Sequence, residues 1–303
     1  MSPAPGSVVP GAAAPRRPFG ALGATLAMIK FQHTLFALPF AFVAAILAAR
    51  GLPAPAQIGW ILGAMVGARS AAMVWNRIAD LEFDRRNPRT ASRPLVTGEL
   101  GLPFAWAFLL ASLALFYLSA SMLNPLALWL ATPAALLILS YSYAKRVTWL
   151  THLHLGASLG LAPIGAWVGV TGRLEAAPLL LGGAVTAWVA GFDILYACQD
   201  IAFDRRAGLR SFPARFGIEA ALRASARLHL VTVILFAALP LFLPLGWPWL
   251  LGVALVAALL IYEHRLVRPD DLSRVNAAFF TVNGVVGFVL LAAAAAEVFL
   301  RRP

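Results

Sequence analysis

Apolar stretches of about twenty residues alternate along the chain with short polar or charged segments, a pattern neither a half-buried strand nor a soluble amphipathic helix produces. A bilayer core about 30 Å thick needs roughly that length of helix to cross it. Nine such spans are predicted, over residues 25–49, 57–79, 102–122, 125–144, 153–171, 178–197, 222–243, 248–264 and 276–299. Pro39 and Pro163 fall inside spans and are expected to kink them, because proline lacks the helical donor and clashes with the preceding turn. Residues 1–24, rich in Pro, Ala and Gly, read as a disordered leader, and 25–303 as one all-α, polytopic membrane domain of nine helices.

Composition agrees. The 303 residues are 61% hydrophobic and 12% charged, whereas soluble domains carry about 25% charged residues. A net charge of +11 invites nucleic acid, anionic lipid or an anionic substrate as its reason, and position decides among them. Of the 24 Lys and Arg, 19 fall on the side shared by the N-terminus and the loops after spans 2, 4, 6 and 8. Arg50, Arg173, Arg301 and Arg302 fall on the other, and the loops after spans 3 and 7 carry no charge. By the positive-inside rule the basic side is cytoplasmic, as in a bacterial inner membrane, and no nucleic-acid partner is needed. Arg16 and Arg17 precede an apolar stretch, as in a twin-arginine export signal, but the span that follows is full length. A single cysteine, Cys198, excludes intrachain disulfides and Cys-pair zinc sites, and no obligatory protein partner is evident.

The scarce acids carry the chemistry. Five of the seven aspartates form two clusters on the cytoplasmic side, Asp80 and Asp84 after span 2 and Asp193, Asp200 and Asp204 at the end of span 6. DLEFDRR at 80–86 and DIAFDRR at 200–206 agree at five of seven positions, an internal repeat embracing 76–93 and 193–216. At 100° per residue, Asn76, Asp80 and Asp84 form a stripe on one helical face, as do Asp193, Asp200 and Asp204. Carboxylates crowded at a membrane boundary repel unless a cation neutralises them. Ligands made only of oxygen select a hard ion such as Mg2+, which takes few carboxylates and completes its shell with water and phosphate oxygens. A diphosphate substrate follows, and Arg77, Arg93 and Arg210 among the interleaved arginines suit its phosphates.

Further candidates lie around these clusters. Asp193 is one turn deeper than the boundary, where an isolated carboxylate is costly, and Arg69, seven residues before Asn76, should share its cavity. Tyr141 and Lys145 sit one turn apart in YSYAKR, with Arg146 beside them, and Lys30 opens span 1. His152, His154, His229 and His264 read as interfacial residues rather than ligands, and Cys198 as a packing residue. A lone acid-arginine alternation after a helix is ordinarily a solvated loop, but two copies on equivalent helix ends point to a site. A transporter would need charges near the midplane and polarity on both faces, and a quinone-binding structural subunit would need no repeated motif.

These segments resemble the UbiA superfamily of intramembrane aromatic prenyltransferases over residues 25–300. NRIADLEFDRRNPRTASRPL is similar to the family's N-D-x-x-D-x-x-x-D element, YSYAKR to its Y-x-x-x-K element, and DILYACQDIAFD with LRSFPARFG to its second motif. Arg77 departs from the pattern, in which an acid often follows the asparagine. The resemblance implies a nine-helix bundle whose central cavity opens to the cytoplasmic leaflet. It further implies Mg2+ on Asp80, Asp84, Asp200 and Asp204, assisted by Asn76, binding a polyprenyl diphosphate whose charge Lys145, Arg146 and Arg77 or Arg69 neutralise. Asp193 would lie near an aromatic acceptor such as 4-hydroxybenzoate, in ubiquinone or menaquinone biosynthesis. Transfer to a tetrapyrrole, as in haem O or chlorophyll synthesis, shares the aspartates and differs only in the acceptor pocket.

Overall fold

A computed structural model describes residues 23–25, 28, 34–87, 90–275 and 281–300; Lys30, Arg89 and most of the expected leader lie outside the described residues. Among the described residues the regular structure is helical, apart from one isolated bridge between Arg268 and Asp271. The helices are α1 (Thr34–Ala49), α2 (Pro55–Ala79), the short α3 (Leu81–Arg86) and α4 (Pro94–Thr97), α5 (Leu102–Leu123), α6 (Pro125–Val147), α7 (Thr151–Thr171) and α8 (Ala176–Ala197). After a 3-10 turn at Cys198–Asp200 come the short α9 (Ile201–Arg206) and α10 (Phe212–Phe216), then α11 (Ile218–Ala238), α12 (Trp247–Leu266) and α13 (Asn283–Leu300). Eight of these segments are long and apolar enough to cross a membrane, and Ala37–Ala49 of α1 is a shorter apolar helix. The expected spans 1 and 9 are described only in part.

Helix starts follow from local chemistry. Proline stands at the first or second position of α2, α5, α6 and α12, where its missing N–H costs nothing. Asn124 caps α6, its Oδ1 accepting from the Ala127 N–H at 2.9 Å. Pro133, inside α6, is a third intrahelical proline beside Pro39 and Pro163.

Around the bundle, α1 packs on α7 and α13, α2 on α5, α8 on α7 and α11, and α12 on α13. The α7–α8 pair is the tightest joint. A Cβ on Gly156 would stand 2.2 Å from the Thr186 carbonyl oxygen, and one on Gly160 2.5 Å from that of Gly182. Small residues at four-residue spacing let the two backbones touch, which is how helices gain packing energy where lipid offers no hydrophobic drive. Phe40, Trp188, Phe236 and Trp249 fill the core beside this joint. Outward, Trp129, Leu241 and Leu110 are strongly exposed, apolar surface that only a lipid solvent would tolerate on this scale.

Not every buried acid belongs to the aspartate clusters. Glu297 on α13 accepts from the Gly246 N–H at 2.9 Å, satisfying the start of α12. Glu263 accepts from Asn283 Nδ2 at 2.7 Å, and Asn283 Oδ1 accepts from Trp188 Nε1 at 2.8 Å, joining α12, α13 and α8. His229 and His264 meet at 2.9 Å beside them, so the buried His229 and the half-buried His264 form a helix-to-helix link rather than lying at an interface.

Candidate active site

The sequence repeat is also a repeat of backbone geometry. Asp80 has φ −98°, ψ 9° and Asp200 φ −99°, ψ 2°, and each separates a long span from a six-residue helix. The regular helix is interrupted there, although the Asp80 N–H still reaches the Asn76 carbonyl at 2.9 Å and the Asp84 N–H that of Asp80 at 2.8 Å, so each expected stripe becomes a corner and both face one cavity. Each corner leaves its first aspartate half-buried and buries its second, Asp84 in α3 and Asp204 in α9. Asn76 still reaches forward one turn, donating to Asp80 Oδ2 at 2.7 Å.

Basic side chains hold both corners. Asp84 pairs with Arg93 and, at 3.5 Å, with the buried Arg77. Consecutive residues at the end of α6 divide between the two repeats. Arg146 Nη2 donates to Asp80 Oδ1 at 2.8 Å and to the Ala79 carbonyl at 2.6 Å, while Lys145 Nζ stands 3.6 Å from Asp204 Oδ2. The Arg146 guanidinium also lies over the rings of Phe83 and Tyr143, both centroids 4.9 Å away. The α6 terminus therefore ties together two corners 120 residues apart in sequence.

Between the corners lies a cavity of about 690 Å³. It runs along α2 from Asp80 to Ile61, a depth of about 28 Å at 1.5 Å per residue. Its polar end holds the aspartates; its deeper wall is alanine, leucine and isoleucine, with Gly165 opposite. Arg69 lines it ten residues before the end of α2, about 15 Å below the corner. The Arg69 Nε is buried and makes no hydrogen bond. Tyr141 lies within electrostatic reach of Arg69, Arg77, Asp80 and Asp193.

The model of the UbiA prenyltransferase family matches residues 37–295. The chain belongs to that family. A 4-hydroxybenzoate solanesyltransferase of Synechocystis sp. is 32% identical over 248 residues, 81% of this chain and 84% of the relative. A 4-hydroxybenzoate octaprenyltransferase of Aromatoleum aromaticum is 34% identical over 249 residues, 82% and 83% of the two chains. The apo structure of a UbiA homolog from Aeropyrum pernix K1 superposes with a TM-score of 0.79 at 40% identity, covering 86% of this chain and 96% of that one. A UbiA homolog from Archaeoglobus fulgidus, bound to GPP and Mg2+, shares the fold with a TM-score of 0.74 at 23% identity, over 91% and 99%. This UbiA family member is thus an integral membrane prenyltransferase.

Among the site residues expected from sequence, all but Lys30 and Arg210 line the one cavity. Lys30 lies outside the described residues. Arg210 is exposed and turns away: its Nη1 donates to the Val147 carbonyl and its N–H to that of Lys145, both at 2.7 Å. It closes the end of α6, where orphan carbonyls need donors, instead of facing the cavity. Arg85, Arg205 and Arg206 likewise spend their donors on Glu82, Ala214 and Ala202. His152 is the residue that sequence reasoning misplaced: it is buried, with Nδ1 2.6 Å from Asp193 Oδ2. A signal existed. Asp193 and His152 flank the α7–α8 connection almost symmetrically, 18 residues after Glu175 and 20 before Gly172, so an antiparallel hairpin brings them to one depth.

Among the described residues no group of three carboxylate, imidazole or thiol side chains is arranged to hold a metal unaided. The donor set nevertheless fits Mg2+. It is all oxygen, it comes as two corners facing one cavity, and the buried Asp204 Oδ2 makes no hydrogen bond. An ion that takes few protein carboxylates would complete its shell from the substrate's phosphates.

Proposed function

We propose that this UbiA family prenyltransferase moves a polyprenyl group from a polyprenyl diphosphate onto a ring carbon of a hydroxy-aromatic acid, 4-hydroxybenzoate or a close relative, in quinone biosynthesis. The observation that carries this reading is the pair of matched aspartate corners at the polar end of a deep apolar cavity. Relatives named for 4-hydroxybenzoate prenyl transfer, at 32–34% identity, support the acceptor.

Asp80, Asp84, Asp200 and Asp204, with Asn76, would hold Mg2+, which when bound supplies Lewis acidity toward the leaving diphosphate. Arg93, Arg77, Lys145 and Arg146, now paired with the aspartates, are within reach to take the diphosphate oxygens. The apolar wall shelters the tail and excludes water from the allylic cation left when the carbon–oxygen bond breaks. Tyr141 offers that cation its ring face. Arg69, whose buried Nε has no hydrogen-bond partner, would take the acceptor's carboxylate. Asp193 would orient the phenol and receive its proton, so that the ortho carbon forms the new bond to the cation. The diphosphate, which left with the bonding pair of the broken carbon–oxygen bond, would then take that carbon's hydrogen as a proton, and Asp193 would return its proton to the oxygen, restoring the aromatic phenol. The helix ends carrying these groups would face the cytoplasm, as the loop charges predict.

An acceptor panel of 4-hydroxybenzoate, dihydroxynaphthoates and tetrapyrroles, read by product mass, tests this. Prenylated 4-hydroxybenzoate or another carboxylated phenol is expected; a prenylated tetrapyrrole alone would refute the acceptor assignment.

A further inference from the structure

We propose that His152 is a positioning residue for the transfer reaction, a neutral imidazole that fixes one oxygen of Asp193 and leaves the other turned into the cavity. The inference rests on Asp193 being the residue that receives the acceptor's phenol.

Both ring nitrogens of His152 are assigned by their partners. The Phe212 N–H can only donate, and it meets Nε2 at 3.3 Å, so Nε2 is the acceptor. The hydrogen is therefore on Nδ1, which donates to Asp193 Oδ2 at 2.6 Å. A doubly protonated ring would set its Nε2–H against the Phe212 N–H. His152 is 1% exposed and does not line the cavity, whereas Asp193 does. Its side chain thus stands behind the carboxylate, out of reach of any substrate.

Two consequences follow from this placement. A carboxylate free to rotate would spread its lone pairs over many directions; one pinned by a buried donor presents its remaining oxygen along a single line. The pin is also anchored to the second motif, because Phe212 opens α10, eight residues after Asp204. Asp193 on α8, His152 on α7 and the backbone beyond the second corner form one hydrogen-bonded chain, which sets the acceptor's base in register with the donor's diphosphate. The histidine pair His229 and His264 lines no part of the cavity.

The test compares His152→Leu, His152→Asn, Asp193→Asn and the Asp193→Asn/His152→Leu double variant in the full chain, purified in detergent, with geranyl diphosphate and 4-hydroxybenzoate. Asparagine can place an N–H where Nδ1 stands but cannot accept from Phe212; leucine does neither. His152→Leu is expected to lower kcat by about 10- to 100-fold, with the KM for the donor within about twofold of wild type. His152→Asn should recover most of that loss although its melting temperature falls as far as that of His152→Leu. In the double variant, removing His152 should cost nothing beyond Asp193→Asn. If His152→Asn and His152→Leu lose turnover together in step with melting temperature, His152 merely holds the fold and the proposal fails. Wild-type turnover in His152→Leu with an inactive Asp193→Asn would also overturn it while sparing the Asp193 reading. Wild-type turnover in Asp193→Asn would overturn that reading itself.

Discussion

Asp80→Asn and Asp84→Asn remove the same charge from neighbouring turns, yet the structure predicts different effects on stability. Asp84 and Arg77 are both almost fully buried, their side chains 9% and 6% exposed, and Arg77 Nη1 is 3.5 Å from Asp84 Oδ2. Taking away one member of such a buried pair costs about 3–5 kcal/mol, and Arg93, itself paired with Asp84, loses the same partner. Asp80 is 26% exposed and its partner Arg146 31%, so water and the Phe83 and Tyr143 rings still serve the guanidinium after substitution. Partly exposed pairs are worth about 1 kcal/mol or less. Thermal unfolding in detergent should therefore place Asp84→Asn well below Asp80→Asn. Adding Arg77→Met to Asp84→Asn should recover much of the loss, because replacing both members of a buried pair costs less than removing one. Equal melting temperatures for the two single variants, or a double variant no more stable than Asp84→Asn, would refute the reasoning.

Other outcomes follow from the same geometry. Chelating divalent metal should stop product formation, and Mg2+ should restore it; turnover that persists in excess chelator would contradict the metal assignment. Arg69→Leu should raise the acceptor KM more than the donor KM, since its free donor lies far below the diphosphate corner; steady-state kinetics with each substrate varied will tell. Gly156→Val should prevent correct packing of α7 on α8, because a Cβ there meets backbone 2.2 Å away, and membrane yield and melting temperature report it. Gly165→Leu, where no atom lies within 4 Å of a new Cβ, should fold normally but handicap octaprenyl more than geranyl diphosphate.

Much of this arrangement was legible from single positions. The spans were, because hydropathy over twenty residues is a local property, and so was the repeat, because DLEFDRR and DIAFDRR resemble each other without any structure. What escaped depended on where chains bend or meet. A helical projection put the acids of each motif on one face, which does line the cavity, but it does not show the corners at Asp80 and Asp200. Arg210 reads as a phosphate ligand by charge and neighbourhood, but the open carbonyls of α6 claim it first. His152 escaped because its partner is 41 residues away on another helix and is found only through the hairpin symmetry of α7 and α8. Glu263 and Glu297 likewise owe their burial to helices remote in sequence.

The central claim is that two corners, 120 residues apart, act as one binding site for a metal diphosphate. Calorimetric titration of the purified chain with geranyl thiolodiphosphate, with and without Mg2+, measures this directly. The wild type should bind only with Mg2+. Asp80→Asn and Asp200→Asn should each weaken that binding by about 100-fold or more, and the double variant should be scarcely worse than either, as expected for residues acting as a unit. Mg2+-dependent binding that survives in either single variant, or losses that simply add, would contradict the account.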